Sequence, residues 1–334
     1  MKNILIPLIA LLFFSCVQTS HDYVKMEGQI FGTYYHVIYQ PIQQTDSLDK
    51  GLLKVLNKVD WSLSTYKDTS TISKFNFSEL GARTDAMLEK VFLKGQEIYD
   101  NSDGAFDMTV APLVNAWGFG FKKKDSITTE LIDSLLLFVG MDKLRLKDAF
   151  LEKDRPGIML DASAIAKGFG VDEAANYLLA QGIKNYMVEI GGEIRAAGLN
   201  SKGIPWRVGI DQPTDDKTLL SRELQAILSL SDAALATSGN YRNFYIRKGK
   251  KYAHTIDPTT GYPVQHSLLS ATIIAPDCMS ADAYATACMV MGVKKSYQLI
   301  KNLPNVEGYF IYVDHNGNNQ VKYTPGFESL IAAE

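Results

Sequence analysis

Four short stretches of this chain combine isolated charges with glycines and other small residues, a pattern that core packing alone does not require. The first, LDASAIAKGFGVD at residues 160–172, places Asp161 and Lys167 six positions apart. Six is a poor spacing for an ion pair along one helix, so the two charges point to something external between them, and a phosphate near a helix start would fit. The second, NSDGAFDMTVAPLVNAWGFG at residues 101–120, turns at Asp103-Gly104 and brings Ala105, Phe106 and Asp107 to the start of a short apolar helix. Asp107 reads equally as an N-cap of that helix or, with the exposed backbone beside it, as a ligand contact. The third, ATSGNYRNFYIRKGKKYAHTIDPTTGYP at residues 236–263, carries His254 and Ile256 where a strand runs into a turn that begins at Asp257. A histidine held at such a junction beside an acid is placed as a general base or acid would be. The fourth, SADAYATACMVMG at residues 280–292, spaces Asp282 and Thr286 at i, i+4 on one helix face. A carboxylate and a hydroxyl offer oxygen only, which suits hard Mg²⁺ rather than zinc, and Mn²⁺ accepts much the same donors. Plainer roles exist beside these: Lys167 can reach solvent, and Thr286 can bond back along its own helix.

The elements that must position these residues follow from periodicity. Residues 29–39 alternate as a strand, and a helix that Asp46 can cap follows with Leu48, Leu52, Leu56 and Val59 at helical spacing. Further helices are predicted over 84–99, 128–139, 162–180 and from 277 to near Gly292. Strands are predicted over 157–160, 185–190 closed by Gly191-Gly192, 194–197, 206–210, 224–230, 243–247, 251–256, 269–275 and 308–313. No repeat or linker divides residues 26–330, and strands mixed with helices in this order argue for a single α+β domain.

Composition and the amino terminus narrow the setting. A net charge of −3, from 34 basic and 37 acidic residues, leaves no basic field for nucleic acid. Lys2, the apolar run 4–14 and then Ser15-Cys16 form an export signal too short to span a membrane. The pattern resembles a bacterial lipoprotein signal of residues 1–15, with Cys16 lipidated and residues 16–25 as spacer. Simple secretion is the alternative. Cys278 and Cys288 fall in one helix, roughly 15 Å apart at helical rise, and cannot pair. The chain contains no GxxxxGK[ST] loop, GxSxG elbow, HExxH or CxxC, so familiar nucleotide and protease chemistries are unsupported.

In this order the four stretches, together with FGTYY at 31–35, STY at 64–66, EIGGEIRAAG at 189–198 and WRVGI at 206–210, resemble the ApbE family of FAD:protein FMN transferases across nearly the whole mature chain. The resemblance implies a largely antiparallel sheet with helices packed against it. It implies an exported enzyme, anchored to the bilayer on the periplasmic side, that takes FAD and Mg²⁺ and transfers FMN through its phosphate to a threonine or serine of a target protein. AMP is released, and the target would be a subunit of a membrane redox complex with a short Ser/Thr flavinylation motif. Carried over by position, FAD contacts fall on Phe31, Tyr66, Ala105, Phe106, Asp107, Asp161, Lys167 and Ile256. The metal falls to the Ala164 carbonyl with Asp282 and Thr286, and transfer to His254. Two alternatives stand beside it: an Mg²⁺-dependent FAD pyrophosphatase giving FMN and AMP, which would use almost the same residues, and a flavin-binding lipoprotein without turnover, which would need neither His254 nor the Asp282/Thr286 pair.

Overall fold

The structure, a computed structural model, describes residues 22–42, 47–119, 127–213, 223–240, 244–247 and 250–332. Cys16, the export signal expected over residues 1–15, and Asp46 lie outside these residues. In chain order the elements are β1 (Val24–Ile30), β2 (Thr33–Tyr39), α1 (Leu48–Leu63), α2 (Thr71–Phe77), β3 (Gly81–Arg83), α3 (Ala86–Asn101), α4 (Ala111–Trp117), α5 (Thr129–Leu136), β4 (Leu144–Lys147) and β5 (Phe150–Lys153). They continue with α6 (Ala166–Ala180), β6 (Tyr186–Ile190), β7 (Glu193–Ala197), β8 (Trp206–Asp211), β9 (Leu224–Leu230), β10 (Ala233–Gly239), β11 (Phe244–Arg247), β12 (Lys250–Ala253), β13 (Leu268–Ala275), α7 (Cys278–Asn302), β14 (Glu307–Val313) and β15 (Asn319–Tyr323).

An eight-stranded sheet in the order β1-β2-β6-β7-β10-β13-β14-β15, antiparallel at every pairing, divides the molecule. Its two-residue alternation feeds two cores. Tyr186, Val188 and Ile190 of β6 pack on Leu52 and Leu56 of α1 and on Val171, Ala175 and Leu178 of α6. On the other face, Ile274, Tyr309 and Ile311 pack on Trp206, Val208, Leu228 and Leu230 of the β8–β9 hairpin. Helices thus cover one face and a β-ribbon the other, as the α+β expectation requires.

Local departures from the sequence expectations have local causes. Residues 29–39 are two strands, because Phe31 and Gly32 both take positive φ (52° and 73°) and turn the chain back on itself. Residues 157–160 are not a strand. Asn76 on α2 takes both polar groups of Leu160, donating to its carbonyl (2.9 Å) and accepting from its N–H (2.7 Å), so this extended segment has no ladder. Helix α6 starts at Ala166 rather than 162, after a turn over 163–165. Helix α7 does not end at Gly292: it kinks there (φ 73°) and runs on to Asn302. Strands β3, β4, β5, β10 and β15, and helix α2, are additions to the expected set.

Two features lock α6 to α7 and so set the geometry of the site. Gly168 lies so close to α7 that a Cβ there would stand 2.3 Å from the Cys278 carbonyl oxygen. Asp172 of α6 accepts from the Cys278 and Met279 N–H groups (3.0 and 2.8 Å), and Asp277 accepts from the Ser280 N–H (2.8 Å). The first turn of α7, whose N–H groups have no partner within the helix, is thereby held by two carboxylates.

Candidate functional site

A cavity of about 1010 Å³ opens where the β6–β7 turn, the start of α6, β8, β10, the 254–258 segment and α7 converge. Its walls include Tyr66, Ala105, Phe106, Asp107, Asp161, Ala164, Lys167, His254, Ile256, Asp282 and Thr286. All but one of the residues named above for FAD, metal and transfer therefore meet in one place. The exception is Phe31, which is not among the wall residues. Its ring packs against Gly170 of α6, where a Cβ would meet it at 2.4 Å.

Each side chain is set by its own local chemistry. Tyr66 stands at the rim, 81 % exposed. Asp161 does not cap α6; its Oδ1 accepts from the Ser163 N–H (2.8 Å) and hydroxyl, which folds the 161–163 turn. Its own N–H donates to the Met108 carbonyl (2.7 Å), tying the first stretch to the second. Asp107 likewise caps a turn rather than α4, accepting from Thr109 N–H (2.7 Å) and hydroxyl (2.5 Å), and its burial pushes the carboxyl up to about 6. His254 follows β12 and faces the Phe119 ring at 6.4 Å between centroids. Asp257, beside it in sequence, is spent on the turn: its Oδ1 accepts from the Thr259 N–H (2.8 Å). That turn is stapled to α4 by Trp117, whose indole donates to the Gly261 carbonyl (2.8 Å), while Ile256 packs on Trp117 and Leu113.

The polar floor of the cavity brings Lys167, Glu193, Asp282 and Thr286 together. Asp282 Oδ2 accepts from the Gly168 N–H (3.0 Å). A regular helix would have sent that N–H to the Ala164 carbonyl four residues back, so the contact releases the carbonyl from this bond. Thr286 Oγ1 lies 3.3 Å from Ser238 Oγ. Lys167 pairs with Glu193 Oε1. Burial alone would lower the Lys167 ammonium, but the Asp282 and Glu193 carboxylates outweigh it and hold it above the usual lysine range. Burial raises Asp282 against the pull of Lys167, and burial with the Asp282 charge pushes Glu193 up to about 8.

Glu193 went unassigned in the sequence expectations. Its signal was the glycine pair before it: Gly191 and Gly192 take positive φ (63° and 103°), form a two-residue hairpin turn, and deliver Glu193 as the first residue of β7.

The donor set fits a hard dication. Among the described residues no three His, Cys, Asp or Glu side chains gather as a metal site, so a cation here needs the Ala164 carbonyl and Thr286 hydroxyl beside the Asp282 carboxylate, all of them oxygen. Two buried carboxylates face one ammonium, and Glu193 Oε2 is buried without a partner. An orphaned buried oxygen beside a second buried acid is what a bound cation would satisfy.

Residues 31–310 match the ApbE family. The chain is 39 % identical over 307 residues to the FAD:protein FMN transferase of Vibrio cholerae, covering 88 % of this chain and 89 % of that protein. It is 36 % identical over 333 residues to the FAD:protein FMN transferase of Haemophilus influenzae, covering 95 % of each. Among solved structures it is similar to the flavin transferase ApbE from Vibrio cholerae, with a TM-score of 0.83 at 34 % identity over 92 % of this chain and 99 % of that one.

Proposed function

The chain belongs to the ApbE family, and from that premise we propose how its cavity performs the transfer of FMN from FAD to a target protein. The observation that carries the reading is the convergence of His254, Lys167, Asp161, Asp282 and Thr286 on one cavity, whose volume stands at the upper end of the usual range for ligand sites. FAD lies with its diphosphate at the polar floor, between the start of α6 and the face of α7 that carries Asp282 and Thr286. Asp282, Thr286 and the Ala164 carbonyl hold a divalent cation, Mg²⁺ or Mn²⁺. When bound, that ion stabilises negative charge on the diphosphate oxygens.

The target contributes a threonine or serine hydroxyl, a weak nucleophile at neutral pH. His254, as neutral imidazole, accepts the hydroxyl proton as the oxygen attacks the FMN phosphorus. The new P–O bond joins FMN to the protein, the P–O bond to AMP breaks, and AMP leaves as the phosphate. Lys167, kept protonated by its two carboxylate neighbours, adds positive charge where the diphosphate becomes more negative. The Ser238 oxygen can accept the Thr286 hydroxyl proton, which leaves a Thr286 lone pair for the ion.

Export and lipid anchoring through Cys16 on the periplasmic side belong to the same proposal, and the apolar run 4–14 followed by Ser15-Cys16 supports them. Among the described residues no helix is long and apolar enough to cross a membrane. A membrane redox subunit with a Ser/Thr flavinylation motif is the fitting target for an enzyme placed there. Labelling with radioactive palmitate tests the anchor: wild type takes up label and Cys16→Ala does not.

The activity is tested by incubating the purified protein with FAD, Mg²⁺ and a candidate target domain, following target mass and free AMP together. Equal gains of FMN on the target and AMP in solution are expected. AMP without target modification identifies a hydrolase, and intact bound FAD identifies a carrier.

A further inference from the structure

We propose that Glu193 is a further oxygen donor of the cation site, its Oε1 held by Lys167 and its Oε2 left for the ion. The inference rests on the reading that Asp282, Thr286 and the Ala164 carbonyl hold a divalent cation. The β6–β7 turn places Glu193 opposite Ile190, on the sheet face covered by α6, so its side chain runs inward toward the start of that helix. There it is almost fully buried, with 4 % of the side chain exposed, and it lines the same cavity as Asp282 and Thr286.

The hydrogen-bond inventory is incomplete in a particular way. A carboxylate accepts at both oxygens, and buried acceptors are nearly always answered. Lys167 answers Oε1, but Oε2 is sealed from solvent and has no partner, alone in this respect among the buried side-chain atoms of the described residues. Charge leads to the same place: Lys167 supplies one positive charge against Glu193 and Asp282. A second ammonium or a proton would leave the cavity floor neutral, whereas a dication would make it net positive and so receptive to a diphosphate. A role confined to steering Lys167 would need only Oε1.

Mn²⁺ binding to metal-free protein, read by electron paramagnetic resonance without FAD, tests this apart from activity. Glu193→Gln keeps the shape and removes the charge, and its Mn²⁺ affinity is expected to fall about tenfold or more. Because that variant also strands Lys167, the deciding comparison is Lys167→Met against the double variant Glu193→Gln/Lys167→Met, which loses both members of the pair and leaves no lone charge. The double variant is expected to bind Mn²⁺ about tenfold more weakly than Lys167→Met. Equal affinity of those two would overturn the proposal and leave Glu193 as an anchor for Lys167. Asp282→Asn binding Mn²⁺ as tightly as wild type would instead overturn the cation site itself.

Discussion

Helix α6 and strand β7 are joined by two ion pairs of opposite polarity, Lys167 with Glu193 and Asp172 with Arg195. The elements and the sheet face are shared, yet the pairs differ in how completely they are answered. Asp172 accepts from Arg195 (2.9 Å) and from the Cys278 N–H (3.0 Å) at one oxygen, and from the Met279 N–H (2.8 Å) at the other. Burial pushes its carboxyl up to about 6, the helix N–H groups and Arg195 pulling the other way. Glu193 has one lysine and a bare oxygen, and burial with the Asp282 charge carries it to about 8. A buried pair whose partners are all protein groups holds a fold together; one left open at a cavity is ready for something the chain does not contain.

Breaking the open side should stop chemistry before it harms the fold. Asp282→Ala is expected to abolish FMN transfer, read as flavin fluorescence on the target, while the circular dichroism spectrum stays that of wild type. His254→Ala should slow transfer by about 10²- to 10⁴-fold and leave FAD binding largely intact by fluorescence titration. Breaking the closed side should do the reverse. Asp172→Ala strands Arg195 and two N–H groups of α7, and urea unfolding should show a loss of about 3–5 kcal/mol. Gly168→Ala, whose methyl meets the Cys278 carbonyl, forces α6 off α7 and should cost about 1–3 kcal/mol in the same assay, with weaker cation binding as a secondary effect.

The smallest effect concerns pH and a fourth buried acid, Asp107. Asp107 has its folded pKa raised from the ordinary 3.8 to about 6, so between these values the native state binds more protons than the unfolded chain. Its contribution therefore favours the fold at low pH and fades as pH rises from 3.8 to about 6. Thermal melts of wild type against Asp107→Asn should show the difference in Tm shifting in favour of the Asn variant as pH increases through that window.

What could be read in advance depended on whether the signal was local. Asp282 and Thr286 at i, i+4 are a one-helix pattern, and the model of a shared face needed nothing from the rest of the chain. The cavity-lining stretches around Asp107, Asp161 and His254 carry turn residues that mark their place between elements. Glu193 was hidden because its meaning lies in Lys167, 26 positions earlier, and in an oxygen with no partner. The 157–160 run departs from its strand pattern for a similar reason: Asn76, 84 positions from Leu160, takes the backbone groups a neighbouring strand would have used. Strand β10 escaped notice because its sequence, AALATSG, is built of small residues with little strand propensity, and its neighbours β7 and β13 impose the conformation.

The most direct test of the open pair's role is the anomalous difference map from crystals of this protein soaked in Mn²⁺. The account predicts a peak bounded by Asp282, Thr286 and the Ala164 carbonyl, with coordinating oxygens at about 2.0–2.4 Å and Glu193 Oε2 among them. A floor of the cavity without manganese, in crystals where the ion binds elsewhere and transfer proceeds, would contradict it.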